Sequence, residues 1–194
     1  ANLWRIKINE LKTTCVIFTK RRPRAIPELQ FNNKNIPYTN TVRYLGLDLD
    51  RRLSFKNHIR RQKAKALGRI KQMYPLLSSP VLPISMKLLL YKVYIRPILE
   101  YAHPAWAFST ASNINQLQIV QNKALRIIGG HDIYTRISQI HEDLEIPLLK
   151  DHLLTQALTF FKSLSSNRNS LIAALGKISA RPHHLYKMPR NFIS

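Results

Sequence analysis

Only one cysteine, Cys15, occurs in the 194-residue chain. Neither a disulfide framework nor a cysteine-rich zinc site can be built from it, and a reducing, intracellular setting is expected. Acid is scarce as well: ten Asp and Glu stand against 31 Lys and Arg, giving a formal net charge of +21 and a pI of about 10.6. That imbalance points to a polyanionic partner, and nucleic acid is the natural candidate. Long apolar runs are missing too. The most apolar segment, LLLYKVYIRPILEYA, is broken by Lys92, Arg96 and Pro97, so no membrane helix is expected. The seven histidines, His183 and His184 among them, have no paired metal-ligand spacing and no partner cysteines, which argues against a zinc site. There is no internal repeat. The N-terminal ANLWRIKINELK has neither an initiator methionine nor the apolar core of a signal peptide, and reads as a point inside a longer chain.

What is present suits a folded protein. Hydrophobic residues make up 45% of 22.6 kDa, enough to bury a core in one large domain or in a domain with part of a neighbour. The first fifty residues read as short strands and turns. TTCVIFT is β-branched, LQFNNKNIPYT has the Asn-rich centre of a hairpin loop, and TVRYLGLDLD alternates. On a strand through RYLGLDLDRR, Leu45, Leu47 and Leu49 share one face, and Tyr44, Gly46, Asp48 and Asp50 the other. Both carboxylates would then look the same way. They form a metal pair, or Asp50 ends the strand, pairs with Arg51 or Arg52, or caps the following helix. Two acids flanked by arginines make a poor metal cage. Glycine at position 46 suggests a bulge or a close backbone approach.

From Ser54 the period becomes helical, with Phe55, Ile59, Ala66, Ile70, Tyr74 and Leu77 spaced to face inward. A second helix, about Ser85 to Tyr101, is apolar nearly all round, implying burial, and Pro97 should kink or end it. HPAWAFSTAS reads as a turn or loop, where Tyr101 and Trp106 pack a bundle or stack on a base. A third helix begins near Ser112 as N-cap, turns Ile114, Leu117, Ala124 and Ile128 inward, and stops at Gly129-Gly130. Further helices are expected over about Thr135 to Leu144 and Pro147 to Leu164, with Pro147 in a first turn. The tail after Ala180 is basic and expected to be loose.

Charge is unevenly placed. No acid occurs between Asp50 and Glu100, while Arg51, Arg52, Lys56, Arg60, Arg61, Lys63, Lys65, Arg69 and Lys71 crowd the first helix and the chain leading into it. Lys56, Arg60 and Lys63 form one row, and Arg61, Lys65 and Arg69 a second. Like charges at that spacing destabilise a helix by roughly 0.2–0.5 kcal/mol per pair unless an anion lies along it. An ordinary solvated face mixes both signs, so phosphate binding is the favoured reading of this one.

The order of motifs, INELKTTCVIFT, VRYLGLDLDRRLSFKNHI, LLLYKVYIRPILEYAHPAWAFSTASNINQLQIVQNKALRIIGG and DLEIPLLKDHLL, resembles the carboxyl-terminal part of reverse transcriptases of non-LTR retrotransposons, nearest the jockey-like insect elements. The resemblance covers nearly the whole chain. It implies an α+β fold, in which a small antiparallel sheet from the edge of a polymerase palm is followed by an all-α, thumb-like helical bundle. The implied divisions are 1–52 palm end, 53–130 thumb, 131–180 helical extension and 181–194 basic tail. INELKT looks like the fourth palm motif and YLG like the primer grip, which would set Tyr44, Leu45 and Gly46 against primer. In the resembled motif a lysine near the nucleotide site can protonate or neutralise the leaving pyrophosphate, a role that would fall to Lys12; a surface lysine beside a strand is the plain alternative.

Two-metal polymerase chemistry needs several converging carboxylates, and the family's Tyr-x-Asp-Asp turn has no match here. The resemblance therefore implies that the Mg²⁺ site lies upstream and that the chain alone is inactive, with no metal or cofactor of its own. The implied partners are an RNA/DNA hybrid or duplex and the upstream fingers and palm domains, with no membrane. A nuclear location follows from the resemblance only. The competing expectation is a stand-alone basic RNA-binding or protein-interaction module derived from a retroelement.

Overall fold

The computed structural model describes residues 9–19 and 26–176. The expected basic tail and its two histidines lie outside those residues. The chain divides into two compact units, Ala1–His58 and Ile59–Ser194, so residues 131–176 share one unit with 59–130.

The first unit holds two antiparallel hairpins, β1 (Gln30–Phe31) with β2 (Lys34–Asn35) and β3 (Thr41–Tyr44) with β4 (Leu47–Asp50). Asn32 and Asn33 turn the first at φ 49° and 59°, the left-handed region that asparagine tolerates best after glycine. The alternating run 41–50 is not one strand: it folds back at Leu45-Gly46, with φ 45° and 79°, and pairs Tyr44 with Leu47 and Arg43 with Asp48. Positive φ at both central residues is what a tight two-residue hairpin requires, so Gly46 serves the turn rather than a bulge. TTCVIFT does not form a regular strand either. It meets its neighbour through one parallel bridge, Cys15 to Tyr38, where Cys15 N–H donates to Pro37 O at 3.0 Å; Pro37 has no N–H to extend a ladder.

The second unit is helical. α1 (Lys56–Leu77) buries Ile59, Ala66, Ile70, Met73 and Leu77. Tyr74, expected inward, is 53% exposed, and Met73 takes the core position. Next come α2 (Ile84–Leu90), a π-helical turn (Tyr91–Ile95) and α3 (Arg96–Glu100). Pro97 cannot donate to the ladder, and the pattern widens just before it, Arg96 N–H reaching Tyr91 O. This segment is not buried all round: Tyr91, Ile95 and Leu99 are sealed, whereas Met86, Leu89, Val93 and Tyr94 are exposed.

HPAW forms a short helix, α4 (His103–Trp106), whose fully buried Trp106 donates Nε1–H to Tyr101 O at 2.7 Å. Trp106 is therefore a core residue. α5 (Ala111–Gly129) has Thr110 rather than Ser112 at its N-cap position, with no side-chain capping bond, and ends on left-handed Gly130. α6 (Ile137–Asp143), α7 (Leu149–Leu164) and α8 (Ser170–Gly176) follow, α6 and α7 packing on α5. Pro147 precedes α7, and its carbonyl accepts Gln121 Nε2 at 3.2 Å. Beside it Gln118 Oε1 accepts the N–H of Leu149 at 2.7 Å and satisfies the amide opening α7. Among the described residues no helix is long and apolar enough to cross a membrane.

Candidate nucleic-acid interface

α1 carries no carboxylate over its 22 residues. Its inner face is the apolar row already named together with buried His58 and Gln62, so its cations are pushed to the outer arc. Lys56, Arg60 and Lys71 are exposed and Lys63 half-buried on one flank; Lys65 and Arg69 are exposed and Arg61 half-buried on the other. Exposed Ala64 and Gly68 run between the two rows. A Cβ added to Gly68 would touch nothing within 4 Å, so glycine is not demanded by internal packing. Lys56 stands in the first turn, where the helix dipole already repels a cation by about 0.3–1 kcal/mol. Such an arc is unfavourable in isolation and becomes favourable when phosphates lie along it. Sequence reading missed His58 and Gln62, whose only signal was their spacing in line with Ile59 and Ala66.

The chain into α1 is fixed by Asp50. Its carboxylate accepts the N–H of Phe55 at 2.9 Å and of Arg52 at 3.2 Å, across a turn in which Leu53 and Phe55 both take positive φ. Burial pushes the Asp50 pKa up, but hydrogen bonds from Ser54, Phe55 and Arg52 outweigh it and leave the group below its usual value. Asp48 lies opposite Arg43 in the ladder. Among the described residues no group of three His, Cys, Asp or Glu is placed to hold a metal, and an acid already accepting backbone amides beside one facing an arginine does not fit a two-metal centre.

In the first unit Tyr44 is 64% and Leu45 77% exposed, at the tip of the β3–β4 hairpin with Gly46. Arg51 is half-buried and Arg52 exposed just past β4. Lys12 is exposed at the end of a 3₁₀ turn (Glu10–Lys12), and Asn9 Oδ1 accepts the N–H of Leu11 at 3.0 Å.

Two short hairpins followed by a helical unit with an acid-free cationic helix define an α+β protein with the charge distribution of a nucleic-acid binder. Known sequences give it relatives. The chain is 33% identical over 196 residues to the probable RNA-directed DNA polymerase from transposon X-element of Drosophila melanogaster, an alignment covering all of this chain and 21% of that protein. It is 31% identical to the RNA-directed DNA polymerase from mobile element jockey of Drosophila melanogaster and 32% identical to that of Drosophila funebris, covering 91% and 92% of this chain and 19% of each relative. Homologues at 27–33% identity over most of the chain are thus jockey-like, non-LTR retrotransposon polymerases, as the motif order suggested. It spans about a fifth of the length of the curated relatives it matches. No protein-family model matches the chain, and no solved structure does.

Proposed function

We propose that this region grips primer and template nucleic acid for a retrotransposon reverse transcriptase, as the end of the palm and the thumb, while the catalytic carboxylates and their Mg²⁺ are supplied by the upstream fingers and palm. The observation that carries the reading is the outer arc of α1, a single-sign cationic surface with no acid in the helix. Lys56, Arg60, Arg61, Lys63, Lys65, Arg69 and Lys71 then meet backbone phosphates, with Arg51 and Arg52 adding to the charge, and binding is nearly blind to base sequence. Tyr44, Leu45 and Gly46 form the primer-grip turn, and Lys12 is the accessory proton donor.

A partner over the first unit is supported by its packing. Among its described residues Phe18, Leu29, Leu45 and Leu53 are at least 40% exposed and no apolar side chain is fully buried, as befits part of a larger sheet. The nucleus, where chromosomal DNA would prime synthesis, is the proposed compartment. Charge-neutral variants test the grip: Arg60→Gln with Lys65→Gln and Arg69→Gln should weaken binding of an RNA/DNA hybrid and of unrelated duplexes to the same extent. Unchanged binding would overturn the reading.

A further inference from the structure

Beside the convex arc of α1 lies a concave feature of different chemistry. Between α1 and α5 are two hollows that share Tyr74 and Ile127. One, of about 610 Å³, has Lys71 and Lys123 on its walls. The other, of about 660 Å³, is lined among others by Ser78, Ile84, Lys87, His131 and Ile133. Each falls in the size range of sites that take a small organic group, roughly 300–1,000 Å³. Among the described residues no Asp or Glu lines either hollow.

Three details give the hollows the character of a built site. Lys87 is 8% exposed and has no carboxylate partner among the described residues, so its charge is left for an anion that enters the hollow. Tyr74 leaves the core position to Met73 and stands half-exposed at the junction of the two hollows. The far wall is held in place: Arg126 donates to the carbonyls of Asp132 and Thr135, the latter at 3.1 Å, which fixes the loop bearing His131 and Ile133. A side chain at Gly129 would overlap the His131 ring. Asp143 Oδ2 is 3.9 Å from His131 Nε2, beyond hydrogen-bond distance.

We propose that these hollows form a groove for an unpaired nucleic-acid strand, with Tyr74 stacking on a base and Lys71, Lys123 and Lys87 meeting its phosphates. An aromatic platform in a cationic groove with apolar walls is how single strands are held without sequence preference. A duplex hides its base faces and suits the convex arc instead. Lys71 lies on the same flank of α1 as Arg60, three turns further on, so a strand leaving a duplex on α1 passes into the groove. The inference rests on nucleic acid being the partner of α1.

The test uses the full chain and two labelled DNA probes, a blunt duplex and the same duplex with an oligothymidine overhang of about six nucleotides, compared by fluorescence anisotropy. The overhang should tighten binding by about tenfold, and Tyr74→Ala or Lys87→Met should remove that gain while leaving blunt-duplex affinity unchanged. Circular dichroism checks the fold of Lys87→Met; if it does not fold, Tyr74→Ala and Lys123→Gln, both at exposed positions, decide. Equal affinity of the wild type for the two probes, or an overhang preference that survives Tyr74→Ala, overturns the groove and leaves the duplex grip standing. Binding of the overhang probe without any of the blunt one supports the groove and sinks the grip on α1. Binding of neither overturns both.

Discussion

The Asp50 carboxylate accepts the backbone N–H of Phe55 at 2.9 Å, which makes it the clasp of the turn between β4 and α1. Without that acceptor Phe55, at positive φ, loses the bond that holds its strained conformation, while Leu53, also at positive φ, keeps its N–H on the Asp50 backbone carbonyl at 2.8 Å. Asp50→Ala should therefore lower stability by about 1–2 kcal/mol in urea unfolding. Because the folded-state pKa lies below 3.8, the unfolded chain binds the proton more readily. The stabilisation is complete above that value and is lost as pH falls through the lower folded-state value. Asp50→Ala should flatten the acid limb of a melting-temperature profile; an unaltered limb would remove Asp50 from this role.

The hairpin tip stores strain of its own. Leu45 takes φ 45° in the first central position of a two-residue turn, a conformation costing a non-glycine residue roughly 1–2 kcal/mol. Leu45→Asn should raise stability by about 0.5–1 kcal/mol, since asparagine is the favoured residue there. In a polymerase that includes the upstream domains, the same change should disturb primer placement if leucine is kept for contact. A destabilised Leu45→Asn would contradict the turn geometry.

On α1, Gly68 is exposed between the cationic rows, and a methyl group there meets open space. Gly68→Ala should stabilise the helix by up to about 1 kcal/mol. A drop in melting temperature would show that the position is crowded.

Much of this fold was legible in the sequence because hydrophobic period and stop signals are local. The Asn-Asn hairpin, the basic helix, the Gly130 terminus of α5 and the helical second half each follow from spacing and turn chemistry. The misses have physical causes. Leu45-Gly46 lacks the usual asparagine, so alternation across it read as one strand. The period allowed either Tyr74 or Met73 inside, and packing on the neighbouring helices chose the thioether. Thr110 and Ser112 are equally good caps on composition. The face of Met86, Leu89 and Val93 is exposed although its sequence reads as buried, because hydropathy does not state what covers a helix. In the candidate site, the cations of α1 were visible from their spacing, whereas the hollows around Tyr74 and Lys87 depend on how α1, α2 and α5 meet.

Primer extension separates gripping from catalysis. Given primer, RNA template, deoxynucleotides and Mg²⁺, the chain should give no extension, since Asp50 is committed to backbone amides and Asp48 faces Arg43. Extension that Asp48→Asn abolishes would establish the two aspartates as a metal pair instead.

The central claim, that α1 binds by neutralising phosphates, is tested most directly by the salt dependence of duplex affinity. If about five phosphates are contacted, the logarithm of the association constant should fall against the logarithm of salt with a slope of roughly −4 to −5, and Arg60→Gln should make it shallower by about 1. A slope near zero, or affinity confined to one base sequence, would contradict the account.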